Sequence, residues 1–373
     1  YGYEHAAILH SDSMAMYLKE NPGSAWEKQE QAKLLANPVT VCTIDQLFTF
    51  VYRALGTEIF AATLKYSKLI LDEIQSYEPA VIAIIIYGLK TIQEMGGRFA
   101  IITATFPPVL KHFMEENGLI ENKQYIFKDF TGEEYLTNQV VRHKIRIRKS
   151  EMDIDEILEQ GRNKKILVIC NTVSRAQKIY KEMQEKSENV YLLHSRYIRR
   201  DRAFLEKQIM DFAESEEAGI WITTQIVEAS LDIDFDVLYT EMSTADSLLQ
   251  RMGRCNRKGR YCPEEANIHV YASENGVGKN SVYEGELYKI ALEKLREYEG
   301  ELFTEKMKTD YMNAVYDIEK IEGTQYFQEI KEYLKLFKNI HPTEYLAKEA
   351  EVRNINSITI VPERIYQEKK EVF

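Results

Sequence analysis

The chain has 373 residues, 45% of them apolar and 29% charged, which is too long for one ordinary domain and balanced like a globular protein. Its 48 Lys and Arg against 59 Asp and Glu give a net charge of −11, which argues against a general polyanion-coating protein but leaves room for a local basic groove. The longest apolar run, Ala80–Leu89, falls short of the roughly 20 residues a membrane helix needs, and no signal peptide is visible. The four cysteines form no CxxC pair, so neither a zinc site nor a disulfide framework is expected, and a reducing, cytoplasmic setting without a membrane is.

In chain order, Ala6–Leu9, Val39–Thr43, Lys68–Leu71 and Phe99–Thr103 read as buried strands. Between them Ser24–Leu35, Leu47–Leu55, Ala80–Met95 and Pro107–Asn117 read as helices, the alternation of a parallel sheet covered on both faces. Val140–Lys149 alternates and reads as a connecting strand. Further strands are expected at Ile166–Cys170, Val190–Leu193, Gly219–Thr224, Asp236–Thr240 and Asn267–Ala272. Helices are expected at Met152–Gln160, Ser174–Lys186, Arg200–Ala213 and Ser247–Met252. From about Ser281 the apolar residues Leu287, Ile290, Ala291, Leu295 and Tyr298 fall at helical spacing. The fold class is therefore α/β with a helical C-terminal region, divided as 1–138, 139–280 and 281–373.

Leu69–Gln75, LILDEIQ, is an apolar strand ending in two adjacent carboxylates, at the edge where open α/β sheets bind ligands. Asp72 there can hold the Mg²⁺ of a nucleotide and Glu73 can orient or deprotonate the attacking water; the same pair would equally cap a helix N-terminus. Thr103 and Thr105 end the next strand, with hydroxyls able to reach those carboxylates. Gln250–Arg257, QRMGRCNR, sets Arg251, Arg254 and Arg257 three residues apart around Gly253, close to one face of a helix. Such a face calls for an anion, a triphosphate or a nucleic-acid phosphate. In Ile222–Asp234, Thr223, Thr224 and Gln225 lie at a strand end, and Asp232 can reach a ribose or an arginine.

The order TIDQ (Thr43–Gln46), DEIQ, TAT (Thr103–Thr105), TTQIVEASLDID and QRMGRCNR resembles the superfamily 2 helicases. VCTIDQLF, DEIQ, LLHSRYIRRDR and TTQIVEASLDIDFDVLYTE narrow the resemblance to the helicase core of the CRISPR-associated helicase-nucleases of type I interference systems. It covers most of the chain. The resemblance implies two tandem RecA-like parallel-sheet domains with ATP between them, the first incomplete at its N-terminus. It places Asp72 on Mg²⁺, Glu73 on the attacking water, and Gln250, Arg254 and Arg257 on ATP, with Asp232 and Gly253 supporting the nucleotide. Thr103 and Thr105 would couple hydrolysis to movement, and Thr43, Asp45, Thr223, Thr224 and Arg196 would lie near the nucleic acid. The implied activity is ATP-driven translocation on single-stranded DNA, with a guide-RNA surveillance complex and a fused or separate His-Asp nuclease as partners. Another superfamily 2 helicase, acting on RNA or DNA, and an ATPase-dead nucleic-acid-binding protein are the alternatives.

No G-x-x-x-x-G-K-[ST] loop precedes LDEIQ, so that loop is expected upstream of Tyr1 and this chain alone is expected to hydrolyse ATP negligibly. Ser273–Asn280, SENGVGKN, lacks the first Gly and the hydroxyl after Lys, and reads as a loop. His10 and His194 each follow an apolar strand and read as strand-end hydrogen-bonding residues rather than metal ligands. Two basic clusters, Arg142–Lys149 and Arg196–Arg202 with Tyr197, are candidate tracks for a single strand; the first would equally be a charged edge strand.

Overall fold

The computed structural model describes residues 5–74, 77–103, 106–120, 141–149, 151–228, 231–279, 281–342, 352 and 363–368. These fall into two compact units, one within 1–69, 83–99 and 333–373, the other within 70–82 and 100–332.

In chain order the first elements are β1 (Ala6–Leu9), α1 (Ser13–Glu20), α2 (Ala25–Lys33), β2 (Val39–Cys42), α3 (Ile44–Leu47), a 3₁₀ turn at Phe48–Tyr52 and α4 (Glu58–Leu64). They are followed by β3 (Lys68–Asp72), α5 (Pro79–Glu94), β4 (Arg98–Ile102) and α6 (Pro108–Glu116). In the first unit β1 pairs in parallel with β2, Ala6 opposite Val39. Ala7 and Leu9 bury themselves against Ala32 of α2. Tyr17 of α1 donates its hydroxyl to the Ile8 carbonyl at 2.9 Å and accepts from the Ile8 amide at 2.8 Å. The helix expected at Leu47–Leu55 is instead a short α turn and a 3₁₀ turn, because the crowded Phe48–Tyr52 run (FTFVY) has poor helix propensity; it stops at Arg53 with φ 53°. The sequence reading missed α1 and α4, which are only eight and seven residues long. β3 and β4 form a two-stranded sheet of their own, so the strands expected to make one sheet in this stretch form two pairs among the described residues.

The following elements are β5 (Ile145–Arg148), α7 (Ile154–Gly161), β6 (Lys165–Ile169), α8 (Val173–Gln184), β7 (Val190–Leu193), α9 (Arg199–Glu214), β8 (Gly219–Thr223), β9 (Val237–Glu241), α10 (Ala245–Met252) and β10 (Ile268–Tyr271). Among the described residues these are followed by the helices α11 (Gly285–Leu295), α12 (Glu305–Val315), α13 (Ile318–Ile321), α14 (Gln325–Asn339) and α15 (Glu363–Glu368). β5 to β10 form one six-stranded sheet in the order β5-β10-β9-β6-β8-β7, and every pairing in it is parallel. Strands β6, β8, β9 and β10 are buried along their whole length, as expected where helices cover both faces. Val140–Lys149 was expected to connect; its strand is instead the sheet edge beside β10, with Ile145 fully buried and Arg146 exposed. The stretch 273–279 is a loop, as expected, with Gly276 and Gly278 at positive φ.

Candidate functional site

β3 delivers Asp72 and Glu73 to its end, both exposed, between the buried Leu71 and Ile74. Glu73 has φ 52°, a left-handed backbone that costs a non-glycine residue about 1–2 kcal/mol. Its amide donates to the Ile102 carbonyl at 3.1 Å, which seats it beside the end of β4. Thr103 follows that strand, half-buried, while Thr105 lies outside the described residues. Among the described residues no three His, Cys, Asp or Glu side chains gather as a metal-holding group. An exposed carboxylate at a strand end still suits Mg²⁺, which commonly takes one or two carboxylates and completes its shell with phosphate oxygens and water.

The three arginines do not share a helix face. Helix α10 stops at Met252, and Gly253 caps it with its amide on the Leu249 carbonyl at 3.0 Å. A Cβ at Gly253 would lie 3.2 Å from the Gln250 carbonyl oxygen, so glycine serves the close turn. Gln250 sits half-buried in the last turn of α10. Arg251 has no exposed surface. Its guanidinium donates to Glu228 Oε1 at 2.7 Å, Thr240 Oγ1 at 2.8 Å, the Glu241 carbonyl at 2.9 Å and the Tyr283 hydroxyl at 2.6 Å. It is a structural arginine, which corrects the expectation of three guanidiniums around one anion.

Arg254 and Arg257 stand apart from it. Arg254 donates Nε to the Val227 carbonyl at 2.9 Å and Nη2 to the Glu228 carbonyl. Burial and then the Arg257 charge lower its pKa, while Asp232, Glu228 and Glu73 pull it back up. Glu73 is therefore within electrostatic reach of Arg254. Arg257 is exposed and pairs through Nε with Asp232 Oδ1 at 3.0 Å. Asp232 is the arginine partner that the sequence allowed; its side chain is 82% exposed.

The expected nucleic-acid residues scatter. Thr223 is fully buried and gives its hydroxyl to the Val168 carbonyl at 3.3 Å, and Thr224 is 3% exposed. Thr223 ends the interior strand β8 and Thr224 caps the turn after it, which is why both side chains are buried. Arg196 is exposed after β7. Beside it Tyr197 stacks on His194, 4.4 Å between centroids and 18° between planes. His194 Nδ1 accepts from the Arg196 amide at 3.2 Å, and His10 Nδ1 likewise accepts from the Asp12 amide at 3.0 Å. In the other unit Thr43 is the exposed N-cap of α3, with the half-buried Asp45 in its first turn. The basic strand is largely spent internally: Arg142 pairs with Glu305 at 2.6 Å, Arg148 with Glu156 at 2.7 Å, and Lys144 donates to the Glu264 carbonyl at 2.8 Å.

Sequence reasoning missed three acidic residues that build the site. Glu228 holds the Arg251 side chain and lends its carbonyl to Arg254. Asp234 accepts from the Arg257 amide at 2.6 Å and the Lys258 amide at 3.3 Å, folding the arginine loop over itself. Glu241, 1% exposed, accepts from the Asn171 amide at 2.7 Å and from Ser273 and Asn275 in the loop after β10. Their signal was position: Glu228 and Asp234 fall inside the Ile222–Asp234 motif, and Glu241 ends β9.

The family model for the C-terminal part of the CRISPR-associated nuclease/helicase Cas3 matches residues 162–260. A Cas3 nuclease/helicase of Methanothermobacter thermautotrophicus is 28% identical over 85% of this chain and 39% of its own length. Over most of its length this chain is similar to Cas3 nuclease/helicases. A second Cas3, from Methanocaldococcus jannaschii, is 25% identical over 85% of the chain and 45% of its own length. The chain thus spans less than half the length of these two curated relatives. The crystal structure of T. fusca Cas3-ATP shares the fold, with TM-score 0.68 and 20% identity over 94% of this chain and 47% of that one. A chain of a CRISPR RNA-guided surveillance complex in a pre-nicking state shares it too, with TM-score 0.67 and 19% identity over 93% and 49%. The fold matches that of the Cas3 helicase domains, a mixed α/β arrangement with a six-stranded parallel sheet and many helices. Among the described residues no helix is long and apolar enough to cross a membrane.

Proposed function

We propose that this chain forms part of the motor of an ATP-dependent single-stranded DNA translocase in CRISPR type I interference, a cytoplasmic antiviral defence. The observation that carries the reading is that Glu73, seated at the end of β3 by the Ile102 carbonyl, lies within electrostatic reach of the Arg254 guanidinium, which the Val227 and Glu228 carbonyls hold. A strand-end carboxylate within electrostatic reach of an anchored guanidinium suits nucleotide hydrolysis. Asp72 would hold Mg²⁺, which would neutralise charge on the phosphates. Glu73 would orient the attacking water, and Arg254 and Arg257 would stabilise charge developing on the γ-phosphate. Gln250, Gly253 and Asp232 would border the nucleotide, Asp232 through its pair with Arg257. Thr103 and Thr105 would couple turnover to movement. Thr43, Asp45 and Arg196 would lie along the DNA strand. The relation to nuclease/helicases and the likeness to a chain of a surveillance complex support a guide-RNA complex and a nuclease as partners.

The test is ATP hydrolysis by the intact native protein with and without single-stranded DNA. Hydrolysis should rise with DNA, and Arg254→Ala or Asp72→Asn should lower kcat by about 10³-fold, the scale of an arginine finger. Turnover indifferent to DNA would sink the coupling. DNA binding without any turnover would replace the motor with a binding protein.

A further inference from the structure

Three consecutive residues of the arginine loop are tied to two consecutive residues that precede β5. His143 Nε2 lies 2.8 Å from the Cys255 carbonyl. Asn256, with φ 45°, donates Nδ2 to the Arg142 carbonyl at 3.0 Å. Arg142 Nη1 donates to the Arg257 carbonyl at 3.1 Å. The same guanidinium donates Nη2 to Glu305 Oε1 at 2.6 Å. Glu305 is the first residue of α12, and the buried Lys308 one turn on donates to the same oxygen at 2.6 Å. The chain entering α12 is also stitched to the same stretch. The Phe303 amide donates to the His143 carbonyl at 2.8 Å and the Gly300 amide to the Ile145 carbonyl at 2.9 Å.

The helical region therefore does not merely follow the sheet. Through Arg142, its second helix, α12, holds the backbone of the loop that carries Arg254 and Arg257. A charge-assisted bond on a half-buried guanidinium is short and directional, so a shift of α12 passes to the Arg257 carbonyl through one side chain. Burial alone would raise the Glu305 carboxyl, but Lys308 and Arg142 hold it below the usual range, so it stays an anion facing both.

We propose that Arg142 and Glu305 are positioning residues, through which the helical region sets the placement of Arg254 and Arg257. This rests on the nucleotide reading of those two arginines. It also reassigns Arg142, which the sequence offered as part of a nucleic-acid track, to intramolecular work.

The experiment uses the intact native protein. Arg142→Met removes both donors and leaves Glu305 with Lys308, so it should fold; Arg142→Lys restores one donor. Two readouts are needed: ATP turnover with single-stranded DNA, and amide hydrogen exchange. Arg142→Met should lower kcat roughly three- to thirtyfold with KM for ATP within about twofold, the signature of misplaced transition-state groups. Arg142→Lys should recover part of it. Exchange at residues 254–257 should rise while exchange in β6 and β8 stays as in the wild type. A general loss of stability would raise exchange in the sheet as well and overturns the proposal. So does faster exchange in the loop with unchanged kcat, or an unchanged loop. Arg257→Ala is the control for the underlying reading. If it leaves turnover intact, the nucleotide site is wrong; if it abolishes turnover while Arg142→Met does nothing, the positioning role alone is wrong.

Discussion

Arg251 and Glu228 form an ion pair, Nε to Oε1 at 2.7 Å, in which the arginine side chain has no exposed surface and the glutamate side chain 12%. The pair fixes Glu228, whose carbonyl in turn accepts from Arg254. Arg251→Met should leave Glu228 buried without its partner and cost about 3–5 kcal/mol. Trp221 reports the loss: it is 1% exposed in the sheet, whereas Trp26 is 69% exposed and changes little on unfolding. Urea unfolding followed by tryptophan emission should show the midpoint fall. A midpoint within error of the wild type would mean the pair contributes specificity rather than stability.

The parallel sheet was legible because its central strands are buried on both faces and so read as unbroken apolar runs, such as ILVI within β6 and IWIT within β8. Val190–Leu193 is found with the bounds expected for it. The edge strand was misread because alternation in Val140–Lys149 shows one face buried but not which strand it pairs with. Of the site, the chemistry-bearing residues were legible as types, and their partners were not. Spacing places Arg251, Arg254 and Arg257 on one helix face; Gly253 ends the helix, and that termination sends the first inward and the others away. Burial of Thr223 depends on strand order, which one sequence does not display.

Glu73 carries its φ of 52° at the point where the proposed chemistry needs it. Glycine adopts that backbone without penalty, so Glu73→Gly should hold or raise stability by up to about 1 kcal/mol. The same change should abolish ATP turnover in the intact native protein. Glu73→Val, β-branched, should lower stability. A glycine variant less stable than the valine variant would show that the turn is not strained. Midpoints of urea unfolding decide it.

Gly161 ends α7 against β8. A Cβ there would meet Ile220 Cγ1 at 2.6 Å and Cδ1 at 2.7 Å. Helix propensity favours Ala over Gly by about 1 kcal/mol. Ile220 is 2% exposed and packed, so it has little room to give way. Overpacking of this kind costs about 1–3 kcal/mol and outweighs the propensity gain. Gly161→Ala should therefore lower the urea midpoint, and Gly161→Ala with Ile220→Val should recover part of the loss. A more stable single variant would mean that the sheet side has slack.

His143 makes the fold acid-sensitive. The Cys255 carbonyl can only accept, so Nε2 carries the proton and the neutral ring leaves Nδ1 bare. Burial first, then the Lys308 charge, push its pKa down to about 3. His269 is lowered in the same way to about 4, by burial and then Arg148. In the unfolded chain both titrate near about 6.5. Below that value the unfolded state binds protons that the folded state refuses. The stabilisation is therefore complete above about pH 6.5 and is lost as pH falls toward the folded values, at no more than about 1.4 kcal/mol per pH unit per group. His143→Gln keeps an amide donor for the Cys255 carbonyl and removes the titration. Urea unfolding of the wild type and this variant at pH 7, 6, 5 and 4, read through Trp221, should show the variant losing less stability per unit below pH 6. Equal slopes would assign the acid sensitivity to His269 and the carboxylates instead.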